Sequence, residues 1–313
     1  MAKMLLPCTM VQMALQLLIV PSLGLLPEGN RDIETSLVDK LDGCEGIFID
    51  AGANIGMHAR FLFEPSLYPN STFHHVYNTQ FGTKRDNVCA LEFEPNPAHR
   101  QRIQKLSVAY AAHGWRVIYA PYGISDVRGH ITFYHNDGRN NSHEEWGFSV
   151  IPHSSASRPV VVPTIDFARF LLLLAQRDKL VGGASQPPRR VVVKMDLEGA
   201  EFTVLPHLVE FGVLCAAVDY IAVEFHDWFA PIHLEARDEW HPALDLPSRA
   251  AAAWYAQRLR ERIEADGRRK MPPCRTRRIV DKDDEAYLYD RSPSQLVDPH
   301  VSMAPVRTRG NGT

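Results

Sequence analysis

The chain lacks the signatures by which several common classes are recognised. Its five cysteines contain no C-x-x-C pair, so neither a zinc ribbon nor a thioredoxin-like centre is supported. There is no G-x-G-x-x-G and no glycine-rich loop closed by Lys-Ser/Thr, the usual cradles for pyrophosphate and nucleotide phosphates. No internal repeat is visible. Positive charge is not in excess: 34 Lys and Arg stand against 37 Asp and Glu, a net charge of -3. Nucleic-acid binding needs a basic footprint that this balance does not provide. The arginines of "GRRK" and "RTRR" near the C-terminus read as a solvated face. His74-His75 has no matching pair of ligands at metal-binding spacing, so no metal site is expected.

What is present is an ordinary globular composition, 45% hydrophobic and 23% charged over 313 residues, enough for one large domain. Residues 1–30 stand apart. Lys3 precedes an apolar run broken only by Pro7, Thr9, Gln12, Gln16, Pro21 and Ser22. That run reads as a signal peptide, a signal-anchor or an N-terminal helix packed on the domain. The secretory or membrane-anchored readings are favoured, and the sequons at Asn70, Asn140 and Asn311 agree with them. Any membrane contact is expected through this segment alone. The domain spans 31–291, with a loop-like insert at 64–87, and residues 292–313 read as a loose tail. Cysteines in apolar runs read as structural, with their pairing open.

From Gly46 onward, short β-rich runs alternate with helical stretches, the pattern of a mostly parallel sheet with crossover helices. "GIFID", "VCALEFE", "WRVIYAP", "RRVVVKMD" and "AVDYIAVEFH" are its strands. "GHITFYH" alternates as a half-exposed strand that need not be parallel. "TIDFARFLLLLAQ" reads as a helix capped by Thr164, and "PSRAAAAWYAQRLRERIEADG" as one capped by Ser248. "TRRIVDKDDEAYLYDR" reads as a closing antiparallel hairpin turning at Asp283 and Asp284.

In such sheets ligands bind beyond the carboxyl ends of the strands. The first end carries Asp50, Gly52, Asn54 and Gly56, a tight turn whose acid suits a ligand with a positive centre rather than a pyrophosphate. The second carries Glu94, placed to accept hydrogen bonds from a ribose diol. The third is followed by Asp126. The fourth, "VVVKMDLEGAEFTVL", ends an apolar strand in Lys194, Asp196, Glu198 and Glu201. The fifth adds Glu224, His226 and Asp227. Burying such a cluster unpaired costs several kcal/mol, so it is neutralised, hydrated or used.

Taken in order, "FIDAGANIG", "LEFEPNP", "YGISDVRGHITFY", "TIDFARFL", "VVVKMDLEGAEFTVL" and "YIAVEFH" resemble the FkbM-type methyltransferases, a branch of the class I, Rossmann-like α/β methyltransferase fold. The resemblance implies S-adenosylmethionine (SAM) as cofactor and methyl transfer to a hydroxyl oxygen on a small molecule or glycan. It places Asp50, Gly52, Asn54 and Gly56 around the amino-acid portion of SAM, Glu94 on its ribose and Asp126 near its adenine. Asp196 and Glu198 would line the reacting cleft. A hydroxyl acceptor needs its proton removed. Asp196, Glu198 or His226 could take it, His226 having the most suitable ordinary pKa, about 6.5. Lys194 would hold the carboxylates charged. Glu201 reads equally as a partner of a helix N-terminus. A binding domain without turnover and a nicotinamide dehydrogenase are the alternative functions.

Overall fold

A computed structural model describes residues 32–135, 148–152, 154–182, 188–236, 243–269, 273–282 and 284–286. The N-terminal run, Cys8, the sequons at Asn140 and Asn311, the return strand of the expected hairpin and the tail lie outside these residues. After helix α1 (Ile33–Asp39) come strand β1 (Gly46–Ala51), helices α2 (Met57–Phe63) and α3 (Phe73–Phe81), β2 (Val88–Phe93), α4 (Arg100–Ala111) and β3 (Arg116–Ala120). There follow β4 (Gly123–Ser125), β5 (Gly129–His135), β6 (Phe148–Ser149), β7 (Arg158–Asp166) and α5 (Phe167–Gly182). The second half holds β8 (Arg190–Met195), α6 (Glu201–Glu210), α7 (Val213–Ala217), β9 (Tyr220–Val223), β10 (Ile232–Leu234), β11 (Leu244–Leu246), α8 (Arg249–Gly267) and β12 (Ile279–Asp281).

The central sheet runs β12-β9-β8-β1-β2-β3, and its pairings among the described residues are parallel. Strands buried on both faces explain the continuous apolar runs. Ile47, Ile49, Val191 and Val193 pack against α1, α5 and α6 on one face. Phe48, Ala90 and Val192 alternate to the other face, under α2, α3 and α4. The order reverses between β1 and β8, which opens a crevice at their carboxyl ends. This is the mixed α/β, Rossmann-like architecture of class I methyltransferases.

Several local expectations need revision. Thr164 is a residue of β7, and Asp166 instead caps α5 by accepting from Arg169 N at 2.9 Å. β7 itself, "RPVVVPTID", was not apparent in the sequence, because two prolines interrupt its alternation. It pairs antiparallel with β5 in a second sheet, β4-β7-β5-β6, so "GHITFYH" lies beside the main sheet. The insert 64–87 is not one loop; it contains α3. Asp284 is no exposed turn residue: it is buried, and Oδ2 accepts from Ser71 Oγ, Thr72 Oγ1 and Phe73 N, capping α3 from the far end of the chain. Ser248 does cap α8.

Four of the cysteines pair, Cys44 with Cys89 and Cys215 with Cys274, across 45 and 59 residues. Closing loops of that length stabilises a fold by about 4 kcal/mol each in the chain-entropy picture. Cys215→Ser should therefore lower the melting temperature by about 10 °C. Scanning calorimetry checks this, and an unchanged midpoint would show the bridge is not formed. Among the described residues no helix is long and apolar enough to cross a membrane.

Candidate active site

The crevice at the strand reversal is lined by the turn after β1 (Gly52, Asn54), the end of β2 (Phe93, Glu94, Pro95) and the loop after β8 (Asp196, Leu197, Glu198). Tyr122, Ile124, Phe133 and Phe148 supply an apolar wall. Gly52 at φ +92 and Asn54 at φ +49 turn the backbone sharply. Glu94 Oε2 accepts from Asn54 N and Oε1 from Asn96 N, both at 2.7 Å, so one carboxylate fixes two loops. Burial pushes Glu94 up to about 8, against the pull of those N–H groups.

Below the crevice runs a polar row. Asp50 is in register with Glu92 on one side and Lys194 on the other, all three on the face of Phe48. All are 2% exposed or less. Neither Asp50 oxygen has a hydrogen bond from the described residues; the nearest base is His58 Nδ1 at 3.5 Å. Glu92 is held well above the carboxylate range, first by desolvation and then by Asp50. Lys194 Nζ donates to Asp196 Oδ2 at 2.7 Å. Burial opposes its charge, but Asp196 and Asp50 outweigh that and hold the ammonium above its ordinary value.

Asp196 belongs to a second cluster. Burial would raise its pKa, yet Lys194 and His226 carry it below the ordinary value. His226 Nε2 lies 3.5 Å from Asp196 Oδ1, 3.6 Å from Glu198 Oε2 and 3.9 Å from Glu224 Oε1. Its Nδ1 faces Glu201 Oε1 at 3.1 Å. Glu201 is fully buried, and it also accepts from Gly199 N and His226 N. It thus sits in the first turn of α6, as a dipole partner would, and clamps two strand ends together. Burial opposes charge on His226, but Glu201, Glu198 and Asp196 push it up to about 10. The premise that His226 is poised near its ordinary value to take a proton does not hold here. Desolvation first, and Asp196 next, push Glu198 up to about 8.

The structure brings Gly52, Asn54, Glu94, Asp196 and Glu198 together on the cleft wall. Asp50, Gly56 and Lys194 support it from beneath or behind. Asp126 is buried just past β4, where it accepts from Ser125 Oγ, and does not line the cleft. Sequence reading missed Phe133 and Phe148 in the apolar wall. Phe133 and Phe148 stack at 5.0 Å with an 8° interplanar angle, and Ser149 Oγ donates to the Glu198 carbonyl. The alternation of β5 was the available signal for Phe133; nothing local announced β6.

The parallel sheet reversing at a glycine turn, with an acid at the end of the second strand, fits the class I methyltransferase architecture. Residues 50–241 match the model of the Methyltransferase FkbM domain, and the chain belongs to that family, as a methyltransferase. No curated protein and no solved structure matches it.

Proposed function

We propose that this methyltransferase uses SAM and methylates a hydroxyl oxygen of a small molecule or glycan. The observation that carries the reading is the crevice itself: a positive-φ turn and Glu94 on one side, Asp196 and Glu198 on the other. Several buried acceptor atoms around it, Asp50 Oδ1 and Oδ2, Asn54 Oδ1 and Asp196 Oδ1, have no hydrogen-bond donor among the described residues. Such a setting favours a ligand that brings positive charge and N–H donors. When bound, SAM supplies an electrophilic methyl on a sulfonium.

The chain's own residues do the rest. Gly52 and Asn54 shape the turn that receives the amino-acid end, with the charge of Asp50 behind it. Glu94 would hold the ribose hydroxyls, its geometry fixed by the two backbone donors. Phe133, Phe148, Tyr122 and Ile124 offer an apolar slot for the adenine and exclude water. Asp196, kept ionised by Lys194, faces the acceptor and receives its proton, with Glu198 beside it on the cleft wall. The two disulfides support a home in the secretory pathway, where such bridges persist.

Calorimetry should show SAM binding and no NAD binding; NAD without SAM would reverse the assignment. Glu94→Gln should weaken SAM about tenfold, close to 1.4 kcal/mol, and also lower the melting temperature, since its amide nitrogen faces one of the two backbone N–H donors. Labelled methyl transfer to sugars, phenols and lipid hydroxyls then identifies the acceptor class.

A further inference from the structure

Asp196, Glu198 and His226 each offer one ligand atom, and the three atoms lie within 4.8 Å of one another. Carboxylates alone would mean little. Here the third member is a histidine only 2% exposed, whose Nε2 points into the group at distances too long for hydrogen bonds, 3.5 and 3.6 Å. Ligand atoms about 2.1 Å from a shared ion stand roughly 3.0–3.4 Å from one another, close to the two His226 Nε2 distances, so the carboxylates would have to draw together around the ion. Lys194 engages Asp196 Oδ2, while Oδ1 is shielded from solvent and lacks a hydrogen bond.

The surroundings are those of a ligating imidazole. Glu201 faces Nδ1, the carboxylate–histidine pairing that orients a ligating ring; a cation at Nε2 would take the place of the proton that the surrounding carboxylates hold there. Four carboxylates, from Asp196, Glu198, Glu201 and Glu224, lie within 4 Å of the His226 ring nitrogens. The lysine beside them offsets one. Glu198 is held at φ +51, a conformation that L side chains disfavour, by the bond from Ser149 Oγ to its carbonyl. Strain of this kind gathers at working sites.

We propose that this triad binds a divalent cation of mixed oxygen and nitrogen preference, of the Mn2+ kind, and that the ion chelates two vicinal hydroxyls of the acceptor. Carboxylates suit Mg2+ and Mn2+, and imidazole suits the later first-row ions; Mn2+ opens that first-row series and stands between the two preferences. Three protein ligands leave an octahedral ion room for a chelating diol. The role in catalysis rests on the methyl-transfer reading; the binding does not. The acceptor oxygen forms its bond to the methyl carbon as the carbon–sulfur bond breaks and the thioether leaves. The hydroxyl proton, made more acidic by the cation, passes to solvent. No metal was expected from the sequence, because the ligands are contributed by two strand ends 30 residues apart.

The test titrates EDTA-treated full-length protein with MnCl2 and follows the electron-paramagnetic-resonance signal of free Mn2+. One ion per chain should bind, at least 30-fold more weakly in Glu198→Gln and in Asp196→Asn. Thermal denaturation guards against misfolding: Mn2+ should raise the melting temperature of the wild type but not that of Glu198→Gln. A wild type that leaves the free signal intact at millimolar Mn2+ overturns the site, as does equal binding by all three proteins. SAM calorimetry on the same samples separates the two readings. Mn2+ binding without SAM binding removes the donor assignment and keeps the cation site; SAM binding without Mn2+ binding removes the cation site alone.

Discussion

Gly52→Ala should abolish cofactor binding while Gly114→Ala leaves it intact. Both glycines sit at positive φ, +92 and +78, where a β-carbon costs about 1–2 kcal/mol. They differ in surroundings. A Cβ on Gly114 meets nothing within 4 Å, whereas one on Gly52 falls 1.8 Å from the Asp196 carbonyl oxygen. That oxygen belongs to backbone, so no side-chain rotation relieves the overlap. The β1 turn and the β8 loop must separate, and those are the two walls of the crevice. The same register carries Asp196 N onto the Ala51 carbonyl at 2.8 Å, a bond that would also be lost. We expect SAM affinity to fall at least 100-fold, about 2.7 kcal/mol or more, in Gly52→Ala. Gly114→Ala should lose only stability, about 1 kcal/mol. Calorimetry on both variants decides; similar affinities would mean that the turn does not shape the binding site.

The strand ends were legible because a buried parallel strand leaves few explanations for a terminal acid. Asp50, Glu94 and Asp196 each close an apolar run, and the fold rule that ligands gather at those ends needs only the order of the runs. Relations across the sheet were not legible. Nothing in "GIFID" or "LEFEPNP" says that Asp50 lies between Glu92 and Lys194; that follows from a register set by the whole sheet. The same holds for His226. Its ordinary pKa was read from residue type, but three carboxylates from another loop and helix change its charge state. β6 is two residues long and carries no period, so the Phe148 wall and the Ser149 strap over Glu198 were invisible. Asp284 looked like turn chemistry because Asp favours turns, and only tertiary contact shows it capping α3.

Lys194→Met should be strongly destabilising, and the loss should shrink on acidification. The ammonium is 2% exposed, bonded to Asp196 and in register with Asp50. Removing one partner of a buried ionic group while leaving the others costs about 3–5 kcal/mol. Methionine fits the volume but leaves the acids of this row facing one another. The wild type already carries acids raised in the fold: Glu92 well above its ordinary range, Glu94 and Glu198 up to about 8. Such groups stabilise below their unfolded pKa near 4.5, and that stability is lost as pH rises toward 8. Lys194 is shifted the same way, but its contribution is lost only in strong alkali, so between pH 5 and 8 it is constant. In the variant the neighbouring carboxyls take up protons in the folded state at still higher pH, each adding up to about 1.4 kcal/mol per pH unit. The stability gap between variant and wild type should therefore be widest near pH 8 and narrow by about 1–3 kcal/mol at pH 5. Urea unfolding at the two pH values measures it. A gap that is large and does not vary with pH would mean that the lysine acts by packing its stem, not by neutralising the acids beneath the cleft.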